Sequence, residues 1–259
     1  MDLDLRGKNV LITGGSKGIG LACAQGFLAE GAKVGITSRS QANLDRAKGS
    51  LTGQVFAAAA DLTDPSAALA MVDWMEAELG PIDVLVNSAG AARRTAPDDL
   101  TPAAWRAAMD AKYFSYIHAI DPLIKRMAKR HSGVIVNVIG NGGKVASASH
   151  LAGGAANAAL MLVTAGLANA YASQGIRVVG VNPGLTKTDR VAEGLKADAK
   201  ISNISEDEAL KRSQDRIPMG RMADPSEIAD VVLFLASKRA SYVTGTLITM
   251  DGGSIATVV

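Results

Sequence analysis

The sequence predicts a doubly wound α/β fold, in which helices cover both faces of a seven-stranded parallel sheet. Two observations carry this. Seven short β-branched or apolar runs alternate with longer helical patterns, and the first run passes through a cluster of glycines straight into an amphipathic segment. A chain of 259 residues, 48% of them apolar, can bury the core that such a sheet needs. Folds of this class and length commonly form one domain, so a single domain over residues 1–259 is expected.

The strand candidates are residues 9–13, 33–37, 54–60, 84–87, 134–138, 177–182 and 247–250. Helical patterns occupy 19–30, 41–51, 65–79, 102–129, 152–172 and 225–236. Pro65, Pro102 and Pro225 follow Asp64, Thr101 and Asp224, a polar cap ahead of a first-turn proline. No repeat or low-complexity linker divides the chain. Between residues 188 and 216 the sequence turns charged and loses β character, with one short helix expected at 206–213. This reads as an insertion after the sixth strand. Ligands of open α/β sheets sit outside the carboxyl ends of the strands, so the segment is placed to be a substrate lid. The other reading is a solvated surface excursion.

The turn after the first strand runs Thr13-Gly14-Gly15-Ser16-Lys17-Gly18-Ile19-Gly20. Gly14 permits a tight turn, Gly18 lets a pyrophosphate approach the backbone, and Gly20 lets the helix pack close to the strand. The helix start then offers free N–H groups and a positive dipole end to an anion. After the second strand come Thr37-Ser38-Arg39-Ser40. An acidic residue there would accept hydrogen bonds from the ribose hydroxyls of NAD and repel the extra phosphate of NADP. Ser38 and Arg39 can pair with that phosphate, and Lys17 adds a second positive charge, so NADP(H) is expected over NAD(H). The alternative for Arg39 is a solvent-exposed loop arginine.

With Asp61-Leu62, Asn87-Ser88-Ala89-Gly90, Asn182-Pro183-Gly184 and Tyr242-Val243-Thr244-Gly245 leading to Asp251-Gly252-Gly253, the turn occurs in the order and spacing of a known family. Over essentially its whole length the chain resembles the short-chain dehydrogenase/reductases, Rossmann-type enzymes that use nicotinamide cofactors. The resemblance implies that Asp61 and Leu62 flank the adenine, that Asn87, Ala89 and Gly90 support the ribose side, and that Pro183, Gly184, Thr186 and Thr188 hold the nicotinamide carboxamide. It also implies a homo-oligomer, a tetramer or a dimer. Asn87-Ser88-Ala89-Gly90 departs mildly from the usual Asn-Asn-Ala-Gly.

Family members use a tyrosine as acid or base, a lysine four residues later, a serine thirteen before the tyrosine, and an asparagine on the preceding long helix. Flanking residues locate these slots. The run 133–139 leads to Gly140 in the serine slot, Gly153 falls in the tyrosine slot, Asn157 in the lysine slot, and Lys112, seven after Trp105, in the asparagine slot. All four differ. Gly153 has no proton to give, and Asn157 can bond a ribose hydroxyl but brings no charge. His150 lies three residues before Gly153 and can share its helix face, which makes it the first candidate for the lost acid; a capping or loop histidine is the alternative. Lys112 is the candidate for the lost charge, against a surface lysine on a long helix. Asn141 and Lys144 rank below His150. Tyr113 and Tyr116 are expected to pack against a neighbouring subunit.

Three functions are compatible with this pattern: an NADP(H)-dependent oxidoreductase acting on a carbonyl/alcohol pair of a small-molecule substrate, a non-redox enzyme on the same scaffold, and an inactive NADP(H)-binding regulatory protein. Lys and Arg (27) nearly balance Asp and Glu (25), so no nucleic-acid partner is expected. Residues 1–8, with Asp2, Asp4, Arg6 and Lys8, lack the apolar stretch of a secretory leader. Residues 145–176 contain no Asp, Glu, Lys or Arg, but His150, Asn157, Asn169 and Gln174 interrupt them, so a helix buried on several sides is expected and not a membrane span. The single cysteine, Cys23, has no intramolecular partner and suits a reducing cytoplasm. No metal is expected.

Overall fold

The computed structural model describes residues 2–90 and 94–256; Met1 and the last three residues of the expected domain lie outside these. Seven strands, β1 (Asn9–Thr13), β2 (Lys33–Ser38), β3 (Val55–Ala59), β4 (Val84–Asn87), β5 (Gly133–Val138), β6 (Ile176–Pro183) and β7 (Leu247–Met250), form one sheet in the order β3-β2-β1-β4-β5-β6-β7. Every neighbouring pair is parallel. The order reverses between β1 and β4, and the crevice outside the carboxyl ends of these two strands is where such sheets bind ligands.

Because side chains alternate across a strand, one run of apolar residues feeds two cores. Val10, Ile12, Val84, Val86, Val136, Val138, Val179 and Val181 pack on one face with α1 (Gly18–Ala29), α2 (Gln41–Ser50) and α9 (Pro225–Ala236). Leu11, Leu85, Ile135, Ile176 and Val178 pack on the other with α3 (Pro65–Leu79), α5 (Ser115–Lys129) and α6 (Leu151–Tyr171). Cys23 lies wholly in the first core. By length and composition alone, 148–174 could cross a membrane, but Leu160, Met161 and Ala168 of this stretch pack into the second core.

The proline-led helix starts form as expected. Asp64 accepts from the N–H groups of Ser66 and Ala67, Thr101 accepts from that of Ala104, and the Glu227 carboxylate reaches back to the Asp224 N–H. Two expectations need correction. The helix expected over 102–129 is interrupted: α4 (Pro102–Met109) passes into a π-helical turn, Asp110–Phe114, before α5. The segment 188–216 holds two helices, α7 (Asp189–Ser202) and α8 (Glu206–Asp215), where one was expected. Thr188 caps α7, and only Leu195 and Ala199 of it are buried, an apolar stripe too narrow to stand out among its charges.

A buried polar chain ties the two core-facing layers together at the crevice. Thr13 Oγ1 donates to Asn87 Oδ1 (3.2 Å), Asn87 Nδ2 to Asn137 Oδ1 (3.0 Å), Asn137 Nδ2 to Thr164 Oγ1 (3.0 Å), and Thr164 Oγ1 to the Leu160 carbonyl (2.7 Å). All four side chains are inaccessible to solvent. Replacing Asn137 by Ala leaves the Asn87 Nδ2 without its acceptor and the Thr164 Oγ1 without its donor in the interior, while the Thr13–Asn87 and Thr164–Leu160 bonds remain, and is expected to cost about 2–4 kcal/mol. Urea unfolding of the purified variant measures this directly.

Candidate active site

At the first turn the glycines are required by packing as well as by φ. Gly14 has φ 68°, and a Cβ there would lie 2.7 Å from the Ala89 Cα, so the turn rests on the backbone that follows β4. Ser88 and Ala89 in turn donate their N–H groups to Thr13 Oγ1 (3.2 and 3.3 Å). A Cβ on Gly20 would meet the Gly14 carbonyl at 2.3 Å, and one on Gly18 (φ 52°) would meet Thr188 Cγ2 at 3.0 Å. Gly90 (φ 88°) leaves room for the Ala111 carbonyl. Helix α1 begins without a side-chain cap at Lys17 and without an acidic residue in its first turn, so no side chain competes with an anion for its N–H groups. Ser16 and Ile19 flank this opening. These features fit a bound pyrophosphate.

Where the sequence implies the adenosine, Arg39 is exposed just beyond β2 and Ser38 Oγ donates to the Ser40 carbonyl (3.2 Å). The Asp61 carboxylate accepts from the N–H and hydroxyl of Thr63 (3.0 and 2.8 Å), bonds that, helped by Arg39, hold its pKa below the usual carboxylate range. Leu62 is buried beside it. Where the resemblance implies the carboxamide, Pro183 closes β6, a Cβ on Gly184 would press on the Asp251 Cα at 2.9 Å, and Thr186 Oγ1 donates to the Gly184 carbonyl (3.3 Å). Thr188 both caps α7 and packs on Gly18, so the start of α7 is anchored to the glycine turn. Lys17 adds an exposed ion pair to Asp189 (3.6 Å).

The structure corrects two readings of the long-helix residues. Lys112 is not a surface lysine: the π-helical turn points it inward, leaving it 8% exposed. Its Nζ donates to Tyr116 Oη (2.8 Å) and to the Val138 carbonyl (3.0 Å), and Tyr116 Oη donates to the same carbonyl. Burial pulls the Lys112 pKa down to about 7, with Arg190 adding to the effect, and pushes that of Tyr116 up. Tyr116 is completely buried within its own chain, so it packs against no neighbouring subunit.

Asn157 is also buried, on the second turn of α6. Its Nδ2 lies 3.6 Å from where a Cβ of Gly140 would stand and 3.4 Å from that of Gly142. His150, directly ahead of α6, leans over the same place, its Cδ2 3.0 Å from the Gly142 position. Burial, then the charges of Arg94, Arg190 and Lys112, hold the His150 pKa below its ordinary value. Its Nδ1 is buried without a hydrogen-bond partner among the described residues. His150, Lys112 and Asn157 thus gather around the loop after β5. Gly140 itself has φ 115°, a conformation that disfavours any side chain, and Gly153 is buried in α6. Asn141 and Lys144 are engaged elsewhere, with Asp251 (3.0 Å) and Thr249 (3.3 Å).

Sequence reasoning missed what holds α7 against the rest of the chain. Arg94 pairs with Asp198 of α7 (2.5 Å), Ser149 Oγ donates to the same carboxylate (2.9 Å), and Thr95 N–H donates to the Ser149 carbonyl (3.0 Å). These residues are far apart in the chain, and no local pattern pairs them. Arg190, on the first turn of α7, acts electrostatically on Lys112, Tyr116 and His150. Among the described residues no cluster of three or more His, Cys, Asp or Glu side chains is arranged to hold a metal ion.

A doubly wound sheet with an open helix start at its switch point, and a buried cluster of proton-bearing groups beside it, is the layout of a dinucleotide-dependent enzyme. Residues 14–254 match the family profile described as Enoyl-(Acyl carrier protein) reductase. The chain is 33% identical over 257 residues to a 3-oxoacyl-(acyl-carrier-protein) reductase of Chlamydia pneumoniae, covering 98% of this chain and 99% of the relative. It is 35% identical to the galactitol 2-dehydrogenase (L-tagatose-forming) of Cereibacter sphaeroides, covering 96% and 95%. The L-sorbose reductase of Gluconobacter frateurii, solved with NADPH and L-sorbose, superposes over 100% of both chains with a TM-score of 0.91 at 29% identity. The chain belongs to the short-chain dehydrogenase/reductase family of oxidoreductases.

Proposed function

We propose that the protein is an NADP(H)-dependent oxidoreductase that interconverts a carbonyl and an alcohol through an atypical active site. The observation that carries this reading is the meeting of His150 and Asn157 over Gly142, with Lys112 bonded to the Val138 carbonyl at the end of the strand that leads into the same loop. In this reading Gly140, Gly153 and Asn157 stand in the family's serine, tyrosine and lysine slots. None of the four tyrosines, Tyr113, Tyr116, Tyr171 and Tyr242, is followed by a lysine four residues later, which supports it.

Gly14, Ser16, Lys17, Gly18, Ile19 and Gly20 would hold the pyrophosphate, and Ser38 and Arg39 the 2′-phosphate that favours NADP(H) over NAD(H). The solved L-sorbose reductase and an actinorhodin polyketide ketoreductase, both with NADPH, lend support. Asp61 and Leu62 would border the adenine, Asn87, Ala89 and Gly90 the ribose, and Pro183, Gly184, Thr186 and Thr188 the carboxamide, with Asn157 on a ribose hydroxyl. When bound, the cofactor supplies or accepts hydride. His150, held neutral near pH 7 by burial and nearby cations, takes the alcohol proton in the oxidative direction and returns it in the reductive one. Lys112, with a pKa of about 7, supplies positive charge where the substrate oxygen turns anionic. The chain acts as one domain with 188–216 as its lid. The free buried Cys23 fits a reducing, cytoplasmic setting. Exposed Trp105, Phe114 and Leu162 favour a homo-oligomer.

Fluorescence titration with NADPH and NADH tests the cofactor assignment first; binding of neither would overturn the oxidoreductase reading. His150→Ala is expected to retain NADPH affinity and to lower turnover at least tenfold, about 1.4 kcal/mol of transition-state stabilisation. Full turnover in that variant would remove His150 from the mechanism.

A further inference from the structure

Three side chains from separate elements close a ring of hydrogen bonds beside His150. Arg94, in the segment after β4, donates through Nη1 to the Asp198 carboxylate on α7 and to Ser149 Oγ (3.4 Å), and Ser149 Oγ donates to the other oxygen of that carboxylate (2.9 Å). The Thr95 N–H also donates to the Ser149 carbonyl (3.0 Å). The Arg94 and Asp198 side chains are 31% and 26% exposed, so these charge-assisted bonds are shielded from water better than an ordinary surface pair. Helix α7 makes room for them. Gly194 stands one turn before Asp198 on the same face, and a Cβ there would lie 2.9 Å from Arg94 Nε. A glycine inside a helix lowers its stability, and here it lets the arginine lie against the helix.

Ser149 directly precedes His150, and the run 145–148 ahead of it is exposed, so Ser149 is where this loop is fastened to other elements. His150 Nδ1 has no hydrogen-bond partner among the described residues, so on that side the ring takes its place over Gly142 from the backbone that carries it. We infer that Arg94 and Asp198 are positioning residues, which through Ser149 set the His150 ring over Gly142 and tie that placement to the docking of α7. This rests on the redox reading, in which His150 is the acid and base, and adds the means by which that group is put in place. Both residues act through Ser149 and the backbone. When α7 lifts, Asp198 leaves with it, Ser149 loses its anchor and the proton carrier is withdrawn. Proton transfer is thereby confined to the state in which α7 is docked.

The His150 ring reports on this without turnover. Burial holds its pKa down, Arg94, Arg190 and Lys112 lower it further, and Asp198 raises it. Asp198→Ala therefore separates two effects by sign. Loss of the carboxylate charge alone lowers the His150 midpoint, whereas release of the ring into solvent raises it toward the ordinary histidine value. The test is NMR titration of the three histidine ring signals, with His150 assigned by His150→Gln. Asp198→Ala, which puts a better helix former into α7, is expected to raise the midpoint, and Asp198→Glu to recover part of the wild-type behaviour. His118, whose Nδ1 meets the Leu62 carbonyl, and His131 should keep their signals and so report an intact fold. Asp198→Ala and Arg94→Met should each lower kcat about tenfold or more, keep NADPH affinity, and add nothing in a His150→Ala background. Lys196→Ala, which breaks the exposed pair of α7 with Glu206, should change none of these. A His150 midpoint that falls or stays in Asp198→Ala, or a further loss of kcat beyond that of His150→Ala, would overturn the inference. A raised midpoint with full turnover would leave the clasp standing and sink the part of His150 in the redox reading instead.

Discussion

Lys112→Met should make the protein more stable and a poorer catalyst at once. The ammonium is buried with neutral partners, so an apolar side chain of similar length removes a desolvation cost, and a gain of about 1–3 kcal/mol at pH 7 is expected. Tyr116 keeps its bond to the Val138 carbonyl, so no polar group is orphaned. Over the same substitution kcat/KM should fall about a hundredfold, near 2.7 kcal/mol, because the charge beside the developing oxyanion is gone. The pH dependence separates this from a packing effect. The folded pKa of about 7 lies below the unfolded value of 10.5, so the unfolded chain binds the extra proton between the two. The penalty is therefore present in full below pH 7 and is relieved as pH rises, with a slope approaching 1.4 kcal/mol per pH unit, roughly the single-proton limit. Buried Cys23, with its pKa pushed up to about 12, works in the opposite direction above pH 9. Urea unfolding between pH 7.5 and 8.5 should show the rise in the wild type and not in Lys112→Met. Equal slopes would mean that Lys112 titrates normally.

Arg39→Asp is expected to weaken NADPH by about a hundredfold and to leave NADH equal or tighter. The guanidinium stands exposed past the end of β2, close enough to Asp61 to lower its pKa. In the proposed reading the substitution removes charge-assisted bonds to a 2′-phosphate, roughly 1.5–3 kcal/mol each, and sets a carboxylate where one could accept from a ribose diol. Paired titrations of wild type and variant with both cofactors measure the change. Parallel losses for the two would show that Arg39 does not read the phosphate.

Much of the fold was legible because it depends on local patterns. β1, β4, β7, α3 and α9 begin and end where β-branched runs, polar caps and first-turn prolines place them. The turn from Gly14 to Gly20 was legible for the same reason, since left-handed φ and close backbone approach restrict those positions to glycine. Sequence spacing also drew attention to His150, Lys112 and Asn157, but it could not say that they meet.

Tertiary structure decided the chemistry of that meeting. The π-helical turn Asp110–Phe114 carries Lys112 into the core and rules out the alternative of a surface lysine, and there burial and not composition sets its pKa. Tyr116 follows it inward for the same reason. The clasp of Arg94, Asp198 and Ser149, and the approach of Arg190, join segments separated by as many as 104 residues, so no local pattern records them. By itself the sequence determined the sheet, its two cores and the phosphate turn, because these follow from periodicity and steric limits within short stretches. Which side chains share one buried space, and so which carry charge at neutral pH, was decided only when distant elements packed together and excluded water.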